Sequence, residues 1–129
     1  MTTWTKDELS KIGAAEELRI SFLRRDGTLR NPVTIWVVCL VDDLYVRSVN
    51  GRNGAWFRGT QVRKEGHIRA GGIEKDVSFE DEADPETNAQ IDAAYQEKYR
   101  RYAANIVNSI LTHQARATTI KLVPRSSGD

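Results

Sequence analysis

Arg47 and Ser48 close an apolar run, and Asn50, Gly51, Arg52, Asn53, Gly54 and Trp56 follow within one turn-rich stretch. Guanidinium groups bind oxyanions through paired N–H bonds. Gly51 and Gly54 allow positive φ and a close backbone approach to a ligand. Asn50 and Asn53 tolerate the left-handed region and can cap a helix. A helix starting near Gly54 would aim its free N–H groups back into this loop, as in anion sites at helix ends. Trp56 adds a flat apolar face for a planar ring. The chemistry these types suit is the capture of a phosphate attached to an aromatic system. No acid lies between Asp43 and Glu65, where Arg47, Arg52, Arg58, Arg63 and Lys64 fall, whereas Glu74, Asp76, Glu80, Asp81, Glu82, Asp84 and Glu86 follow. A local positive field can therefore survive a near-zero total. The stretch is neither a Gly-Lys-Ser/Thr phosphate loop nor GxGxxG. An Asn-Gly turn with a solvated basic face accounts for the same residues.

The other reactive types form no comparable group. His67, His113 and Cys39 lack metal-ligand spacing, so no metal site is expected. Cys39 lies inside VTIWVVCLV and reads as a buried structural thiol, its apolar neighbours disfavouring the thiolate. Tyr95, Tyr99 and Tyr102 recur at helical spacing, which predicts packing before proton donation. Arg100, Arg101 and Arg116 either join a basic pocket or face solvent. The acidic stretch from Glu80 to Glu86 reads as a solvated loop.

These residues need elements to hold them. Thr5 and Glu8 form a capping-box pattern for a first helix running to about Ala15, with Trp4 stapled onto Leu9. Leu18 to Phe22 alternates as a strand, and Arg25 to Thr28 is a turn, with a strand start over Thr28 to Asn31. Val33 to Val41 reads as one strand, apolar on both faces and covered on both sides. Asp42-Asp43 turns it back into Leu44 to Val49. Ala55 to Arg63 has helical spacing, ended by Glu65-Gly66. His67 to Ala70 and Ile73 to Phe79 flank the hairpin signal Gly71-Gly72. Asp84-Pro85-Glu86 opens a long helix that breaks near Arg101 to Ala103. Arg116 to Val123 is a last strand, and a polar tail follows over 125–129. About six antiparallel strands with few helices predict a mainly β (α+β) small barrel with helices over its openings.

The chain has 129 residues, which predicts one domain over 1–129 with an N-terminal helix inside 1–16. It is 40% hydrophobic and 29% charged, with a net charge of +1. That sum argues against duplex nucleic acid as a partner. No apolar run is long enough to span a bilayer, and MTTWTKDELSK lacks a signal core. A cytoplasmic protein with no membrane partner is expected.

DDLYVRSVNGRNGAWFRG, HIRAGGIEKDVSFE, IDAAYQEKYRRY and ARATTIKLVP resemble an uncharacterised bacterial family, similar in turn to the flavin-binding split barrels and notably to deazaflavin-dependent nitroreductases. The likeness spans about Pro32 to Pro124. It implies an antiparallel split β-barrel, a homodimer, and FMN or deazaflavin in a groove near the subunit interface. It points to Arg47, Ser48, Asn50, Arg52, Asn53 and Trp56 around the phosphate, and to Trp36 and Thr34 along the ring. Where the deazaflavin enzymes tend to carry a Lys-Pro or similar step before the aromatic, this chain has Asn53-Gly54-Ala55. Three readings stand: a flavin- or deazaflavin-dependent oxidoreductase acting on a small molecule, a non-catalytic module for an anionic or planar ligand, and a cofactor-free dimer whose tryptophans fill the ring space. No catalytic residue is singled out.

Overall fold

The computed structural model describes residues 3–125. Among them, seven strands form one antiparallel sheet: β1 Leu18–Phe22, β2 Val33–Ile35, β3 Val38–Leu40, β4 Asp43–Val46, β5 Glu65–Ala70, β6 Ile73–Asp81 and β7 Ile120–Pro124. Their order across the sheet is β2-β1-β5-β6-β7-β4-β3. β2 and β3 are thus the two outer strands, yet only Trp36 and Val37 separate them in the chain. Three residue steps reach at most about 11 Å, so the edges must approach each other at this link. The sheet curls into a split barrel, joined covalently at Trp36-Val37.

The helices follow their local signals. α1 (Lys6–Ala14) carries the reciprocal Thr5–Glu8 capping box. α2 (Ala55–Arg63) has the extent expected from its spacing and ends on Lys64, which takes a left-handed φ of 59°. α3 (Pro85–Lys98) is capped by the Asp84 side chain on the Thr87 amide, with Pro85 in its first turn, a cap worth about 1 kcal/mol. Two short helices follow, α4 (Ala104–Asn108) and α5 (His113–Arg116).

Two apolar clusters result. One fills the barrel, with Ile12, Leu18, Ile20, Leu44, Val46, Ile68, Val77, Phe79 and Leu122 among its buried members. Trp4 joins it, and its Nε1 donates to the Leu122 carbonyl at 2.9 Å. The other lies outside the sheet beneath α3 and α4, and holds Val38, Tyr45, Ile91, Tyr95, Tyr99, Val107 and Ile110. Leu44 and Val46 face the first cluster and Tyr45 the second, so β4 is covered on both sides as a strand with two apolar faces must be.

Three expectations are corrected. The run Val33 to Val41 is two strands, because Val37 leaves the ladder: its N–H donates to the Tyr99 hydroxyl at 3.2 Å and its carbonyl accepts from Lys98 Nζ at 2.6 Å. The final strand begins at Ile120 rather than Arg116. Thr112 caps α5 by accepting from the Ala115 amide, and the Thr118 hydroxyl donates to the Ala115 carbonyl. Residues 28–31 form only an isolated bridge, Leu29 to Leu23.

Candidate functional site

Arg47 follows β4 and turns inward. Its side chain is fully buried. Nε donates to Thr119 Oγ1 at 2.9 Å, and Nη1 to Asp92 Oδ1 at 2.5 Å and to the Ile110 carbonyl at 3.2 Å. Nη2 donates to the Asn88 carbonyl at 3.1 Å and to its Oδ1 at 2.9 Å. A guanidinium has five N–H groups, and each has a partner here. Arg47 therefore ties β4 to α3, to the segment after α4 and to the segment between α5 and β7, and offers no free donor to a bound phosphate. Asp92 also accepts from Arg116 Nη2. Two cations share one carboxylate, which leaves the cluster with a positive excess.

Two cavities lie against this hub. The smaller, about 240 Å³, is bounded by Thr34, Trp36, Arg47, Val49, Trp56 and Ile106. It collects Thr34, Trp36, Arg47 and Trp56 from the residues implicated by sequence. Trp36 is held nearly parallel to Tyr99, with ring centroids 3.8 Å apart and planes 5° apart, and is flanked by Tyr102 at 5.2 Å. Val49 and Ile106 at this cavity are exposed apolar residues. The other four implicated residues lie apart from it. Ser48 is buried, its N–H donates to Thr118 Oγ1 at 2.8 Å, and its hydroxyl lies so close to Gly54 that a Cβ there would come within 2.4 Å of it. Asn50 and Asn53 are exposed. Arg52 lines the larger cavity, about 520 Å³, with His113 and Arg116.

Sequence reasoning passed over Asn88 and Asp92. They sit on the face of α3 that also carries the buried Ile91 and Tyr95, and two polar residues on an otherwise apolar face were the available signal. It also passed over Val49 and Ile106, whose types say only that they are apolar.

α2 begins without a side-chain cap, on Gly54, and has no acid in its first turn. Its first amides have no intrahelical acceptor, and Trp56 belongs to the same turn. A planar ring thus finds an indole-lined slot beside open backbone donors, and these residues fit a flavin-type group in chemistry. The slot volume falls just below the roughly 300–1,000 Å³ usual for small-molecule sites, which suits a ring system rather than a whole nucleotide.

Cys39 is half-buried, and burial together with Asp42 and Asp43 pushes its thiol pKa upward, away from nucleophilic use. Nearby Lys98 is lowered by burial to about 8 from its ordinary 10.5. The folded protein therefore binds fewer protons than the unfolded chain between these values, and the stability attributable to Lys98 rises with pH across that window. Thermal melts of Lys98→Met beside the unaltered protein should show the variant losing ground as pH climbs above 8. A constant gap between the two would contradict the burial effect.

The curled sheet, its helical covers and the strand-end cavities define the split β-barrel class. The chain belongs to the bacterial family described as "Uncharacterized protein conserved in bacteria (DUF2255)", matched over residues 8–122. No curated protein matches it. Solved structures of the same fold include HutZ, the heme storage protein of Vibrio cholerae, at 14% identity over 95% of this chain and 91% of that one, with TM-score 0.69. An FAD-binding protein from Mesorhizobium loti matches at 14% identity over 96% and 92%, TM-score 0.59. An F420 reductase matches at 13% identity over 90% of each chain, TM-score 0.54. Among the described residues, no helix is long and apolar enough to cross a membrane.

Proposed function

We propose that this protein holds a planar flavin-type cofactor, FMN or a deazaflavin, between Trp36 and Trp56 and serves as an oxidoreductase-like protein for a small molecule. The observation that carries the reading is the slot itself: two half-buried indoles line one cavity, one of them already stacked on Tyr99. The bound cofactor would supply hydride or electron transfer. Trp36 and Trp56 would exclude water from the ring, Thr34 would offer a hydroxyl at the rim, and the open amides of α2 would take the phosphate, with Asn50, Ser48 and Asn53 shaping the loop. In this reading a second copy of the chain covers the exposed Val49 and Ile106 and completes the site, making a homodimer. The family resemblance and the FAD- and F420-named structures support the same ligand class.

Titration with FMN, with F420 and with the phosphate-free ring lumiflavin tests it. Ring fluorescence should be quenched on binding by stacking on the indoles, and Trp36→Ala and Trp56→Ala should each weaken binding about tenfold or more, the loss of one stacking contact of about 1.4 kcal/mol. Absence of saturable quenching by all three ligands would reject the reading. Binding without turnover of any electron acceptor would move the protein to the second reading, a non-catalytic module.

A further inference from the structure

The larger cavity has a different chemistry from the slot and is separated from it by the Arg47 hub. Arg47 lines the slot, whereas its partners Asn88 and Thr119 line the larger space. At about 520 Å³, the larger space lies within the ordinary range for small-molecule sites.

Its construction depends on α5 lying against the 3-10 turn Gly51–Asn53. Gly51 takes φ +64°, and a Cβ there would fall 2.1 Å from Gln114 Cγ. Gln114 Nε2 donates to the Asn50 carbonyl at 2.9 Å. Only glycine permits this contact, and it brings Arg52 from the turn to His113 and Arg116 from α5.

The charges around the cavity do not cancel. Asp81 is paired with Lys64 at 2.7 Å. Asp92 is shared by Arg47 and Arg116. Among the described residues Arg52 has no ion-pair partner, and Arg116 Nε is buried without a hydrogen-bond partner. Glu82 remains as the one lining acid without a cationic partner. Arg52 and Arg116 line the space against Asp81 and Glu82; Lys64, outside the lining, offsets Asp81, and Arg47, also outside it, offsets Asp92, so one positive charge is left over. Phe57 and Pro85 supply apolar walls.

We propose that this second cavity binds a small molecule carrying one carboxylate or phosphate, with Arg52 and Arg116 on the anionic group and Phe57 and Pro85 against its apolar body. The exposed ends of Arg52 and of the half-exposed Arg116 are the groups a ligand can reach, and an oxyanion between two guanidiniums takes charge-assisted bonds from both. The proposal stands apart from the ring slot and needs no cofactor.

The test titrates isotopically labelled protein with phenyl phosphate, with benzoate and with benzyl alcohol as the neutral control, following the amide signals of Ala83, Asn88, Ala117 and Thr119. Saturable shifts with at least one anion and none with benzyl alcohol are expected, and the tighter of the two anions names the headgroup. Arg52→Gln and Arg116→Gln should each weaken that binding about tenfold or more. Arg52 is exposed and makes no ion pair, so its variant tests the site without endangering the fold. Failure of both anions to shift these signals, equal binding of benzyl alcohol, or unaltered affinity in Arg52→Gln would overturn the proposal. Lumiflavin titration of Arg52→Gln should match the unaltered protein, so failure at the ring slot and failure here are read separately.

Discussion

Replacing Arg47 by methionine should lower the unfolding free energy by about 3–5 kcal/mol, the usual result of removing one member of a buried ion pair. The hydrocarbon stem of the two side chains is similar, so little of the loss comes from volume. It comes from the Asn88 and Ile110 carbonyls, which lose a donor while buried, and from Asp92, which is left with the half-exposed Arg116 alone. Thr119 still donates to Asn88 Oδ1 at 2.6 Å, so that part of the network persists. For a domain of this size the melting temperature should fall by about 10–20 °C. Lysine should not restore it, because an ammonium has three donors at one centre and cannot reproduce five in a planar fork. Neutralising the orphaned acid as well, in Arg47→Met/Asp92→Asn, should recover part of the loss, and a double-mutant cycle measures how much. An Arg47→Met protein as stable as the original, with only ligand affinity reduced, would return Arg47 to the role its sequence position first implied.

That contrast shows what the sequence could and could not convey. Elements whose cause is local were readable: the Thr5–Glu8 box, the Asp84-Pro85 start, the Gly71-Gly72 hairpin and the extent of α2 each follow from neighbouring residues. The split barrel was readable from the strand pattern joined to the family resemblance. Elements whose cause is distant were not. The break at Trp36-Val37 exists because Tyr99 and Lys98, more than sixty positions away, take the backbone groups of Val37. Arg47 looks like a ligand donor beside Ser48 and Asn50, and only the approach of α3 and of the segments before and after α5 shows that its donors are already engaged. The site loop therefore divides: Trp36 and Trp56 meet at one cavity while Arg52 goes to another. A basic stretch in sequence says which charges are near each other along the chain and not which side of a loop each will face.

Tyr99→Ala should damage both the fold and the ring slot, and the two losses can be separated. Tyr99 is buried, its hydroxyl donates to the Glu16 carbonyl at 2.8 Å and accepts from the Val37 amide, and its ring carries Trp36. Truncation should cost about 3–5 kcal/mol, as for other buried aromatics, and free the indole to leave its plane. Tyr99→Phe keeps the stack and loses only the hydroxyl, leaving two backbone groups short of a partner at about 1–3 kcal/mol. Lumiflavin should consequently bind the phenylalanine variant as it binds the original protein and the alanine variant about tenfold or more weakly, measured at a temperature where both remain folded. The reason is preorganisation: an indole already held flat loses no rotational freedom when a ring stacks on it, whereas a free one must be ordered first. Equal lumiflavin affinity in all three proteins would mean that Tyr99 supports the strand break at Val37 and nothing at the slot. Since Trp36 belongs to the link between the barrel's two edges and Tyr99 stacks on it, a loss of affinity confined to the alanine variant would tie the seam of the barrel to the ligand it was proposed to hold.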